Sequence, residues 1–100
     1  MVRTGLLNIR KDLIMRKNVW IYLKDENYNS VAEILNKSGY YWENIYASTK
    51  EVDIVMDVYT KAGIKSFDKI CKLLNSIDTI NIELVEHDKE DNMTVLKTKN

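Results

Sequence analysis

An alternation of eight residues near the middle of the chain constrains the fold more than any other feature. Val52, Ile54, Met56 and Val58 point to one side of an extended chain, and the residues between them point to the other side. A period of two with aliphatic residues on one side is typical of a strand with one fully buried face. The sequence therefore predicts a central strand over residues 52–59, in a sheet that is covered on one side.

Further elements are predicted on both sides of this strand. Ser30 and Glu33 have the spacing of a capping box, and Gly39 suits the end of the helix that they would begin. In chain order we predict a strand over 18–24, this helix, a strand over 40–48, the central strand, a helix over 65–76 and a strand over 79–86. This order predicts an α+β fold, the ferredoxin-like β-α-β-β-α-β sandwich, with a four-stranded antiparallel sheet and two helices on one face.

The two ends of the chain are predicted to lie outside the regular part of this domain, which spans residues 18–96. Residues 1–17 fit an amphipathic helix, with an extended arm as the alternative, and either form needs a surface to pack on. Residues 93–96 allow a short C-terminal edge strand, and residues 97–100 are expected to fray.

The side of the sheet away from the helices is expected to carry many large apolar residues, which a monomer seldom leaves in water. They are Trp20, Tyr22, Trp42, Tyr46, Val55, Tyr59 and Val85. A second copy of the chain is the favoured partner, whereas residues 1–17 folding back over this side would leave a monomer. Single-stranded RNA is a third alternative, but Asp53, Asp57 and Glu83 share this side and would repel phosphates.

Composition excludes several classes of function. The 15 basic and 15 acidic residues cancel, so no net charge draws the chain to nucleic acid or to a membrane surface. No apolar run reaches the length of about 18 residues that a membrane helix needs. The single cysteine, Cys71, excludes a disulfide or a cysteine zinc site within one chain and favours a cytoplasmic location. His87 is predicted to lie in a solvated, charged turn, so no metal site is expected there. No nucleophilic side chain has an evident general base, so neither an enzyme nor a cofactor is expected.

The run from Ile45 to Val58 resembles the hairpin of the RAM domain, the small-ligand-sensing domain of the Lrp/AsnC regulators. Residues 67–80, an amphipathic helix and then a short strand, are similar to the segment after the hairpin in that family. The resemblance covers residues 18–87 and implies a domain that dimerises through its sheet and binds amino acids or similar effectors near the subunit interface. Residues 1–17 are too few for the helix-turn-helix of those regulators, so direct DNA binding is not expected.

The sequence therefore predicts a stand-alone small-molecule-sensing or regulatory module that acts as a homodimer or larger oligomer. An amino-acid-like effector is expected to contact Ser48, Thr49, Asp53 and Thr60, with Asp53 suited to an ammonium group and the hydroxyls to a carboxylate. The alternative is a protein-interaction adaptor or chaperone that receives a peptide or partner chain at the sheet. In strand order the chain also resembles the chaperone of the periplasmic nitrate reductase.

Overall fold

The computed structural model describes residues 16–47, 49–61 and 63–99. Within these residues the chain forms five strands and two helices. They are β1 (Arg16–Leu23), α1 (Asp25–Lys37), β2 (Trp42–Tyr46), β3 (Ile54–Tyr59), α2 (Ile64–Leu73), β4 (Asn81–His87) and β5 (Met93–Lys99). The predictions for residues 1–15 lie outside the described residues.

The five strands form one sheet in the order β2-β3-β1-β4-β5, and every neighbouring pair is antiparallel. The sheet thus has five strands instead of the predicted four, and the fifth begins where the sequence allowed a short C-terminal edge strand. Lys97 and Lys99, which we expected to fray, continue β5 and pair with β4. The β4–β5 turn holds this strand in place, because Asp88 Oδ1 accepts hydrogen bonds from the backbone N–H groups of Glu90 and Asn92, both at 2.9 Å.

Both helices pack on the same side of the sheet, as predicted. The alternating aliphatic residues of β1, β3 and β4 meet the apolar sides of the two helices in one core. Its fully or nearly fully buried members are Val19, Ile21, Leu23, Val31, Leu35, Ile54, Met56, Val58, Phe67, Ile70, Cys71, Leu74, Ile82 and Leu84. This cluster confirms the predicted inward-facing residues within β1, β3 and β4, since a period of two leaves only two faces to choose from. Val52, predicted to belong to the same set, precedes β3 and is not part of the cluster.

Helix α1 begins at Asp25, five residues ahead of the predicted start at Ser30. Its N-cap residue, Lys24, offers no capping side chain. The cap is instead the carboxylate of Asp53, which is 28 residues away along the chain. Its Oδ2 accepts a hydrogen bond from the backbone N–H of Asp25 at 3.0 Å. Asp25 and Glu26 add negative charge in the first turn, where the helix dipole favours it. The predicted capping box is therefore not used.

Glycines mark one end of each helix. Gly39 follows α1 with φ of 79°, in the left-handed region that favours glycine, and so confirms the predicted stop. Gly63 is the N-cap of α2 with φ of 54°. A Cβ at Gly63 would lie 3.1 Å from Cδ of Lys17, so both the backbone and the available space disfavour a side chain there. Consequently α2 starts without a side-chain cap.

Candidate functional site: the outer face of the sheet

The sheet has a second side, opposite the helices, which we call the outer face. The registers between the strands place on it Arg16, Asn18, Trp20, Tyr22, Glu43, Ile45, Val55, Asp57, Tyr59, Asn81, Glu83, Val85, His87, Met93, Val95 and Thr98. Four of the six residues predicted for an interface, Trp20, Tyr22, Val55 and Tyr59, lie on this face. Val85, which we also expected there, lies beside them.

Trp42 and Tyr46 were assigned to the wrong side of the sheet. Trp42 pairs with Val58 and Tyr46 with Ile54, so both share the side that faces the helices. Trp42 packs at the margin of the core and donates its Nε1–H to Asn36 of α1 at 3.0 Å. The alternation in β2 separates its residues into two faces. It does not show which face meets the helices, because aromatic residues occupy both.

Asp57 is the centre of the hydrogen bonding on the outer face. Its Oδ1 accepts from Asn18 Nδ2 at 2.7 Å and from Trp20 Nε1 at 3.0 Å. Asn18 is only 3% exposed, so this carboxylate satisfies an amide that water hardly reaches. Trp20 is held by its polar atom, and its ring remains available for apolar contact.

Glu83 forms a second centre on the other side of β1. Its Oε1 accepts the hydroxyl of Tyr22 at 2.6 Å, and its Oε2 accepts from Asn81 Nδ2 at 3.2 Å. Burial and the neighbouring Glu83 carboxylate raise the pKa of Tyr22 well above its usual value, because both disfavour a phenolate. The hydroxyl therefore stays protonated and donates its hydrogen bond over the whole physiological range.

A third carboxylate lies at the β2 side of the face. Glu43 Oε2 accepts the hydroxyl of Tyr59 at 2.9 Å, and this bond raises the pKa of Tyr59. Tyr41 stacks on Tyr59 with ring centroids 5.1 Å apart and an interplanar angle of 21°. The sequence analysis did not identify Asn18 and Glu43 as residues of this face. Asn18 is directly opposite Tyr59 on the neighbouring strand, and Glu43 is directly opposite Asp57.

The face also carries apolar contact area. Val55 and Val85 are buried and add little of this area themselves, and the ring of His87 lies 5.9 Å from that of Trp20. At the β5 side, Met93 and Val95 are each 42% exposed and extend the apolar surface to the edge of the sheet.

The residues predicted for an effector do not converge. Thr49 Oγ1 closes a local turn by accepting the N–H of Val52 at 3.0 Å, and Asp53 caps α1. Thr60 Oγ1 donates to the carbonyl of Lys17 at 2.8 Å. Thr49 and Asp53 precede β3 whereas Thr60 comes after it, so about 23 Å of extended chain separates Asp53 from Thr60. Ser48 lies outside the described residues.

The described residues hold no group of three histidine, cysteine or acidic side chains placed to bind a metal ion. Cys71 is buried on α2, and this burial raises the pKa of its thiol, which is the opposite of what a reactive cysteine needs. In the ranges 16–47, 49–61 and 63–99, neither helix is long and apolar enough to cross a bilayer.

Comparison of the chain with protein-family models, with curated proteins and with solved structures gave no match.

Proposed function

We propose that this chain is a non-enzymatic regulatory module that associates with a second copy of itself through the outer face and responds to a small effector. The observation that carries the proposal is the way the face is built. The polar atoms of Trp20, Tyr22 and Tyr59 are bonded within the face to Asp57, Glu83 and Glu43. Their rings can therefore be covered by a partner without leaving a buried donor unsatisfied.

Charge favours a protein partner over a nucleic acid. Three carboxylates lie on the face, and they would repel a phosphate backbone. Arg16 projects from the same face, and Oδ2 of Asp57 accepts no hydrogen bond from a described residue. A two-fold arrangement of two copies can pair this cation with a carboxylate of the other copy.

The size of the face sets the expected strength of association. Five strands spaced about 4.8 Å apart and about 20 Å long present roughly 500 Å². Two copies would bury about 1,000 Å² in total, which is near the lower limit for a specific interface. We therefore expect a dimer that dissociates on dilution.

The fold assignment and the resemblance to the RAM domain support this proposal. Among the first four strands the order β4-β1-β3-β2, with two helices on one side, is that of a ferredoxin-like sandwich, to which β5 adds an edge strand. A RAM domain dimerises through its sheet, as proposed here. The cytoplasmic location stays a prediction that rests on the single cysteine.

Molar mass in solution tests the interface. Val95→Lys places a cation on the exposed margin of the outer face, and Thr94→Lys places the same cation on the helix side of the same exposed strand. We expect light scattering over a range of concentrations to show a dimer for the unaltered chain and for Thr94→Lys, and a monomer for Val95→Lys. A monomer for the unaltered chain at about 1 mM, or equal masses for both variants, would overturn the proposal.

The open edge of β5 favours a second candidate function, an adaptor that receives a peptide strand. All seven residues of β5 are exposed, and within the described residues only β4 pairs with it. An added strand would bond to this backbone edge. Leu96→Pro places a residue without an N–H in the middle of this strand and would abolish peptide binding, whereas Val95→Lys would preserve it. The two variants thus separate an adaptor from a dimer formed through the outer face.

A further inference from the structure

Side chains that lie directly opposite one another on neighbouring strands form rows across the outer face. One of them, which we call the acidic row, consists of Glu43, Asp57, Trp20 and Glu83. Its three carboxylates accept hydrogen bonds from uncharged groups. None of the ion pairs among the described residues includes any of the three. The acidic row therefore carries negative charge that no ion pair within the described residues neutralises.

Two further rows follow towards the start of β1. The first, which we call the apolar row, consists of Tyr59, Asn18, Val85 and Val95. The second, which we call the basic row, consists of Arg16, His87 and Met93. Neighbouring rows are about 7 Å apart along the strands, because every second residue of a strand points outwards. The apolar row thus lies midway between the acidic and the basic row.

We propose that two copies of the chain pack with antiparallel strands about a two-fold axis along the apolar row. Arg16 of each copy then lies over Trp20 of the other copy, between Asp57 and Glu83. The inference rests on the proposed dimer and assigns the residues that the second copy contributes. An axis in this position lays each strand over the same strand of the second copy and reverses its direction. The basic row of each copy therefore meets the acidic row of the other.

Arg16 has the chemistry that the acidic row lacks. It is exposed, and its planar guanidinium can bond to carboxylates while it lies on an aromatic ring. Trp20 provides such a ring, because its Nε1–H is already bonded to Asp57 and tryptophan is the aromatic residue that binds cations best. Oδ2 of Asp57 can accept from the guanidinium, since it accepts no hydrogen bond from a described residue. Each copy thus supplies a cation to the other, and the site is complete only in the dimer.

Charge selects this arrangement over the other two-fold packing of the same faces. An axis parallel to the strands would preserve strand direction and lay each row over the same row of the second copy. The carboxylates of Asp57, Glu83 and Glu43 would then meet the acidic row of the second copy, and like charges across an interface oppose association. The axis along the apolar row replaces this repulsion with attraction at both ends.

The arrangement also tolerates the twist of the sheets. Packed sheets cross at about 30°, and Arg16 is about 7 Å from the axis along its strand. Such a crossing moves Arg16 sideways by about 3.5 Å relative to Trp20 of the second copy. This shift is smaller than the strand spacing of about 4.8 Å, so Arg16 remains within reach of a carboxylate beside that ring.

Cysteine cross-linking on β5 tests the arrangement, because Thr98, Val95 and Met93 are exposed and level with the acidic, apolar and basic rows. Val95→Cys lies on the axis, so we expect a short bis-maleimide to link it to its own copy about 10 Å away. Met93→Cys and Thr98→Cys should each fail to link alone, at about 17 Å, but should link to each other when the two variants are mixed. Thr94→Cys, on the helix side of β5, should give no product, and the unaltered chain with its buried Cys71 is the blank.

Charge reversal at Arg16 tests the proposed contact itself. Arg16→Glu should raise the dissociation constant of the dimer about a hundredfold or more, because two like-charge contacts replace two attractive ones. Lys72→Glu changes the net charge equally but lies exposed on α2, on the other side of the sheet, and should leave the dissociation constant nearly unchanged. Light scattering over a range of concentrations measures both variants.

The possible results keep this arrangement apart from the dimer proposal. In a chain that light scattering shows to be dimeric, three results would overturn the arrangement and leave the dimer standing. They are no product with Val95→Cys, a product with Met93→Cys, Thr98→Cys or Thr94→Cys alone, and equal dissociation constants for Arg16→Glu and Lys72→Glu. A monomeric unaltered chain would refute both proposals.

Discussion

Removal of the Asp57 side chain should destabilise the domain through the hydrogen bonds at the centre of the outer face. In Asp57→Ala two donors lose their acceptor. Asn18 is 3% exposed and would be left unsatisfied, at a cost of about 1 to 3 kcal/mol. Trp20 is partly exposed and can bond to water, so its loss is about 0.5 to 1.5 kcal/mol. The free energy of unfolding should therefore fall by about 1.5 to 4.5 kcal/mol.

Two control variants separate the hydrogen bonds from other effects of the substitution. Asp57→Asn keeps an oxygen acceptor of the same shape and should lose less than about 1.5 kcal/mol. Glu43→Ala removes the carboxylate directly opposite Asp57, which is bonded to Tyr59 at the exposed margin of the sheet. Glu43→Ala should change the free energy of unfolding little, because the repulsion between the Glu43 and Asp57 carboxylates is removed together with the hydrogen bond to Tyr59.

Urea unfolding monitored by circular dichroism, at a protein concentration below the dimer range, measures these differences. A loss of less than about 1 kcal/mol in Asp57→Ala, or equal losses in Asp57→Ala and Asp57→Asn, would refute the view that Asp57 organises the outer face.

Three other expectations rest on single contacts. The raised pKa of Tyr22 contributes stability that is fully present below the unfolded pKa of about 10 and is lost as the pH rises above it. Urea unfolding at pH 8 and at pH 10.5 should therefore show a larger fall in the free energy of unfolding for the unaltered chain than for Tyr22→Phe. Asp53→Ala should cost about 1 kcal/mol and increase hydrogen exchange at the Asp25 amide, and an unchanged amide would contradict the capping role. Gly63→Ala should reduce the melting temperature more than Gly39→Ala, since both have positive φ but only Gly63 has an atom within 4 Å of the added carbon.

The sequence predicted those parts of the fold that depend on local patterns. The inward faces of β1, β3 and β4 result from alternation of aliphatic residues, and Gly39 indicated the end of α1. The start of α1 was missed because its cap, Asp53, is 28 residues away and no local pattern contains it. The side of β2 was wrong because Trp42 and Tyr41 give both faces a similar apolar character.

The candidate site was predicted less well for the same physical reason. Trp20 and Tyr59 were found from alternation, but their partners Asp57 and Glu43 are selected by register across strands, which the sequence does not show. The predicted effector residues were grouped around β3 although they flank its two ends.

The bond between Asp53 and the start of α1 affects how the chain folds as well as how stable it is. A helix of 13 residues is marginal in isolation. The first turn of α1 gains its cap only after the segment before β3 has reached the end of β1, where Asp53 N–H also donates to the Leu23 carbonyl at 3.0 Å. We expect the transition state for folding to contain both segments, so Asp53→Ala should slow refolding as well as speed unfolding.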